Sequence, residues 1–149
     1  MKRSYFDIDY MNKFVFTFLV VMILTGCNLT GSQIADESDN CILSGDMQTQ
    51  NVRPGLQRQI LGYNDDIMLV KVTFGEEMVG QRPECHSHPH TQSSYIISGK
   101  FEFHCGDKVQ ILGAGDAYYV EPNTPHEAYC LEPGVIIDGF SPMREDFLK

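Results

Sequence analysis

Basic residues are scarce. Eleven lysines and arginines stand against twenty aspartates and glutamates, for a formal net charge of −9 over 149 residues. No basic patch is present to neutralise phosphates, which argues against nucleic acid as a partner. An anionic small molecule would need a local cation, either an arginine or a metal, to hold it. There are five cysteines but no CxxC pair, which argues against a zinc knuckle. No segment carries a long 3.6-residue apolar period, and no internal repeat is visible. "GAGDAYY" has glycines, but no helix pattern follows them as a phosphate-cradling loop would require. The apolar run Phe14–Leu24 has only eleven residues. It is too short for an ordinary membrane span and right for a signal-peptide core.

That run follows Lys13 and ends in Leu24-Thr25-Gly26-Cys27, which resembles the lipobox of bacterial lipoproteins. The resemblance implies a signal peptide over residues 1–26, Cys27 lipidated as the first mature residue, and an exported protein anchored to a membrane in the periplasm or at the cell surface. A plain signal peptide or an uncleaved anchor is the alternative. Met11 suits a natural start, because Asp7 and Asp9 fit a signal peptide poorly. Residues 28–50 are rich in Ser, Asp, Asn, Gln and Gly, so residues 27–52 read as a lipidated tether and residues 53–149 as one domain. Besides Cys27, the chain holds Cys41, Cys85, Cys105 and Cys130, which in an exported protein could pair in three ways.

The domain reads as strand and turn. "RQILGY", "IMLVKVTF", "SSYIISG", "KFEFHC", "VQIL", "AYYV", "EAYCL" and "VIIDGFSP" are separated by Gly-, Pro- and Asp-rich turns. Only "REDFL" suits a helical turn. Short strands at this spacing predict an all-β sandwich or barrel.

Three of the five histidines lie within "HSHPHTQ", residues 86–92. On a strand His86 and His88 share a face and could grip one ion, while Pro89 lets His90 swing away and leaves its role open. Gln92 offers an amide oxygen, and His126 sits in the turn "EPNTPH". Imidazoles with an oxygen donor suit Zn, Ni, Mn or Fe. A polar strand edge explains His-x-His alone equally well, and His104 in "FEFHC" reads as part of a solvated face.

Together, His86-x-His88, Gln92, Gly99, then "GDAYYVEPNTPH" ending at His126, resemble the two motifs of the cupin family. The resemblance implies a single-domain cupin β-barrel, also described as a double-stranded β-helix or jelly roll, with a divalent metal inside and a homodimer as the expected assembly. Gln92 stands where cupins carry a glutamate, which weakens the case for a redox iron oxygenase. Glu121 stands where a proline is often found.

In the tail "IDGFSPMREDFL", Asp138 and Phe140 share a strand face and Arg144 follows a Ser141-Pro142 bend. Spacing alone fits a substrate pocket and a surface ion pair equally. The tail, "RQILGYNDDIMLVKVTF" and "HSHPHTQ" resemble the pectin degradation (KdgF-type) cupins, with Thr91 where that family often has a glutamate. This resemblance implies a metal held by His86, His88, Gln92 and His126. It also implies catalysis by Asp138 with Arg144, a substrate pocket including Phe140 and Arg144, and ring opening of 4,5-unsaturated uronate monosaccharides from pectin or alginate into linear ketonised sugars. Members of that family are mostly intracellular, so the lipobox is a departure. The alternative is a non-catalytic, metal-dependent uronate-binding cupin lipoprotein.

Overall fold

The computed structural model describes residues 41–149. The expected signal peptide, Cys27 and the first part of the tether lie outside the described residues. The chain runs through seven strands: β1 Thr49–Arg53, β2 Leu56–Tyr63, β3 Met68–Phe74, β4 Thr91–Cys105, β5 Lys108–Gly113, β6 Ala117–Val120 and β7 His126–Ser141. Two 3-10 turns, Glu76–Met78 and Glu145–Leu148, complete it. All strand pairings are antiparallel, in the order β1-β2-β3-β7-β4-β5, with β6 on the far edge of β4. This is the expected all-β barrel.

The long β4–β7 ribbon organises the molecule. Over Gln92–Tyr95, β4 lies between β7 and β6, while over Lys100–Cys105 it lies between β7 and β5. Two sheets therefore share one ribbon and face each other. "SSYIISG" and "KFEFHC" are one strand, as are "EAYCL" and "VIIDGFSP". The glycines that read as breaks are bends. Gly99 has φ +87°, and a Cβ there would sit 2.7 Å from Gly134 Cα and Pro133 O. The two backbones cross at a contact only glycine allows, and the β4–β7 register shifts around it.

The sheet also begins earlier than expected. Gln50 and Asn51, inside the segment read as tether, pair with Arg58 and Gln57 of β2. A polar hairpin strand on a sheet edge lacks the apolar alternation that marks half-buried strands. Cys41, Cys85, Cys105 and Cys130 are all free thiols.

The interior holds two apolar clusters and a polar set. Met78, Ile96, Phe101, Cys130 and Ile136 form one cluster, and Met68, Val70 and Phe140 a second. Between the facing sheets, Phe103 of β4 stacks on Tyr118 of β6 with centroids 4.0 Å apart. Buried among these residues are His88, Gln92, Ser94, His126 and Asp138, a polar set that demands internal partners.

Candidate metal centre and its pocket

His86, His88 and His126 converge, their ligating atoms all within 4.8 Å of one another. They are positioned differently from the expectation of two histidines on a strand. His86 precedes β4 and is held by a bridge in which His86 N–H donates to His126 O at 3.1 Å and His126 N–H to His86 O at 2.9 Å. His88 lies in the same approach segment, and His126 opens β7.

Each imidazole is oriented by a neighbouring main-chain carbonyl. Nδ1 of His86, His88 and His126 lies 3.3, 3.1 and 2.8 Å from the carbonyl oxygens of Glu84, His90 and Thr124. A carbonyl only accepts, so each Nδ1 carries the proton and each Nε2 presents a lone pair. Gln92 Oε1 lies 3.0 Å from His88 Nε2 and 3.2 Å from His126 Nε2. The amide cannot flip to relieve this meeting of acceptors, because its NH₂ donates to Ser94 Oγ at 3.0 Å and Asp138 Oδ1 at 3.2 Å.

A second proton on His88 and His126 would satisfy both contacts with Gln92, but burial opposes it. Burial, with the charges of His86, His88 and Arg144 behind it, pushes His126 down to about 4 against a partial lift from the Thr124 carbonyl. His88 is lowered chiefly by burial as well. Neutral imidazoles facing an amide oxygen lack one cation between them. Three imidazole nitrogens and an amide oxygen make a donor set that fits a borderline divalent metal.

Asp138 lies one hydrogen bond behind this set. Its Oδ1 accepts from Ser94 Oγ at 2.5 Å, Gln92 Nε2 at 3.2 Å and the Tyr118 hydroxyl at 3.5 Å. Among the described residues nothing bonds Oδ2, and Asp138 lines the cavity. Burial raises the pKa of Asp138, opposed by those three donors and by the charge of Arg144. Tyr118 is raised well above its ordinary value by burial and by the Asp138 charge, so its hydroxyl stays a donor.

The cavity measures about 350 Å³, at the small end of ligand pockets and suited to a single sugar ring. Phe140 forms part of its wall, with its ring edge-on to His88 at 5.6 Å. Arg144 reaches the same cavity, but its guanidinium is paired with Asp146 through two bonds of 2.6 and 3.2 Å and stacks on Phe147 at 4.1 Å. The structure thus brings His86, His88, Gln92, His126, Asp138, Phe140 and Arg144 to one place.

His90 packs beside His88, with ring centroids 5.4 Å apart, and its Nδ1 is buried without a hydrogen-bond partner among the described residues. Sequence reasoning missed Ser94 and Tyr118. Ser94 was legible as the residue two beyond Gln92 on the same strand face. Tyr118 required the β4–β6 register, in which it pairs with Ser94.

Fold and donor set together define a metal-binding cupin. The profile of the family described as "Cupin domain" matches residues 75–138. The pectin degradation protein KdgF of Dickeya dadantii (strain 3937) is 41% identical over 96 residues, 63% of this chain and 84% of that protein. The KdgF of Halomonas sp. superposes with a TM-score of 0.64 at 36% identity, over 70% of this chain and 94% of that one. An RmlC-like cupin from Shewanella frigidimarina NCIMB 400 gives 0.67 at 36% identity, over 74% and 96%. The chain belongs to the KdgF family of cupins.

Proposed function

We propose that the protein is a metal-dependent enzyme that opens 4,5-unsaturated uronate monosaccharides, released from pectin or alginate by lyases, into linear ketonised sugars. The observation that carries this reading is Asp138: a buried carboxylate with one oxygen fixed by three donors and the other free at the cavity wall. Kinship to a pectin degradation protein supports the substrate class.

The chemistry is an isomerisation. Asp138 Oδ2 takes the proton of the anomeric hydroxyl, C1 becomes a carbonyl, and the C1–O5 bond breaks with its electron pair passing to O5. The resulting C4–C5 enol gains a proton at C4 and becomes the C5 ketone, so no atom is gained or lost. A carboxylate with a raised pKa is suited to accept a proton and return it. Ser94 and Tyr118 keep Asp138 aimed, and Phe140 with its aromatic neighbours excludes water. A divalent metal held by His86, His88, Gln92 and His126 would supply positive charge for the oxygen that becomes negative.

Turnover is read as loss of absorbance of the conjugated double bond at substrate excess. Asp138→Asn should lower kcat by about 10²–10⁴-fold while metal content stays intact. Near-full activity in that variant would remove Asp138 as the base.

The same proposal includes the anchor and the assembly. Lipidation at Cys27 would hold the domain on a membrane facing the periplasm or the exterior. Exposed Leu69, Tyr95, Ile97 and Tyr119 offer an apolar outer face to a second copy. A Cys27→Ser variant should leave the membrane fraction, and its size in solution reads the dimer. A variant that stays membrane-bound rules out the lipid anchor, and a monomer rules out the assembly.

A further inference from the structure

The cavity contains a guanidinium that the sequence did not flag. Arg58 of β2 lines it, brought there by register. Asp138 pairs with Val70, Val70 with Ile60, and Arg58 lies two residues before Ile60, hence on the same inward face. Strand geometry puts Arg58 and Asp138 roughly 12 Å apart at Cα before curvature. A long arginine side chain spans much of that distance and leaves a gap on the scale of one sugar ring.

Arg58 and Arg144 differ in their partners. Arg144 is neutralised by Asp146. Arg58 Nε donates to the neutral Gln50 Oε1 at 2.9 Å, and among the described residues no carboxylate pairs with it. Both guanidiniums stack on Phe147, Arg58 at 3.6 Å and Arg144 at 4.1 Å from the ring centre. Two cations therefore share one ring with one carboxylate between them. Burial and then the charge of Arg144 disfavour the cation of Arg58, and the charge of Asp146 offsets them only in part. The missing component is an anion. Gln50 fixes the arrangement from both sides, since its Nε2 also donates to Phe147 O at 3.0 Å. Arg53 borders the cavity too, but it is exposed at the end of β1.

We propose that Arg58 is the seat of the substrate carboxylate, with its unbonded guanidinium nitrogens facing the cavity. The assignment rests on the uronate reading above and refines it. The carboxylate and the anomeric hydroxyl flank the ring oxygen of such a sugar, so Arg58 holds one side of the ring while Asp138 works on the other. Arg144, paired with Asp146, lines the same cavity and stacks on Phe147.

Calorimetric titration of the metal-loaded full chain with galacturonate and with neutral galactose reads the seat without requiring turnover. Arg58→Gln should weaken galacturonate binding by about tenfold to a hundredfold and leave galactose binding unchanged. Arg58→Lys, which keeps the charge but loses the fork, should show a smaller loss with the same selectivity. It also keeps the question decidable if the glutamine variant fails to fold. Unchanged galacturonate affinity, or an equal loss for both sugars, overturns the assignment. If Arg58→Gln loses the preference for galacturonate but wild-type protein does not consume the unsaturated uronate, the seat stands and the ring opening falls. If turnover proceeds with KM unaffected by Arg58→Gln, the ring opening stands and the seat falls.

Discussion

His126 and Glu127 are adjacent on β7 and face opposite sides of it, and each belongs to a polar cluster with a different logic. Inside, His86, His88, His126 and Gln92 direct acceptor atoms at one another. Outside, Glu127 lies 3.7 Å from His104 and 3.5 Å from Arg82, and His104 lies 2.6 Å from Glu102. In the outer cluster each carboxylate has a basic side chain within 4 Å, and solvent reaches much of it. The inner cluster is incomplete in a way that a bound cation remedies. Both clusters contain histidine among polar side chains, so a histidine in polar company does not by itself make a site. What separates them is that acceptors face one another inside, while acids face basic groups outside.

The largest break in this comparison comes from His126→Ala. Losing one inner imidazole should cut divalent-metal affinity by on the order of a hundredfold or more, read by metal titration followed with a chelator. In wild-type protein, metal at one hundred times its Kd should add about 2.7 kcal/mol of stability, and the variant should lose that gain at the same concentration. The pH dependence sharpens the point. With His126 depressed from 6.5 to about 4, the unfolded chain takes up the proton first as the pH falls. The contribution of neutral His126 to metal-free stability is therefore present above 6.5 and lost as the pH falls toward about 4. Substituting His126 should flatten the melting temperature of the metal-free protein across that window. A slope identical to wild type would place the titrating group elsewhere.

The two clusters were unequally legible in the sequence. The inner cluster could be assembled from motif spacing, because His86, His88, Gln92 and His126 stand in a pattern, even though the histidines at 86 and 88 lie before the strand. The alternation of phenylalanine with Glu102 and His104 located the outer face. Long-range register could not be read. Ser94 and Tyr118 meet Asp138 only because β4 lies between β6 and β7. Arg58 looked like an ordinary charge at the start of an apolar strand, since its partners Gln50 and Phe147 lie at the two ends of the domain. Gly99 showed as a boundary when it is the bend of a continuous strand, because a local turn signal does not tell a chain reversal from a close backbone crossing.

The smallest expected effect tests the other side of the comparison. Glu127 is buried but its cationic neighbour Arg82 is largely in solvent, with side-chain exposures of 8% and 77%. Glu127→Gln keeps the shape and removes the charge. Ion pairs with an exposed partner contribute little, so the cost should be about 0.5–1 kcal/mol, seen as a modest fall in melting temperature. Metal affinity and turnover should not move, although the substituted residue adjoins His126. A tenfold loss of metal affinity would mean that the outer cluster acts on the inner one through the β7 backbone. The outward pairings would then belong to the site, and the facing of acceptors would no longer separate the two clusters. An unchanged affinity leaves the strand acting as a partition, with chemistry confined to the face where acceptors confront one another.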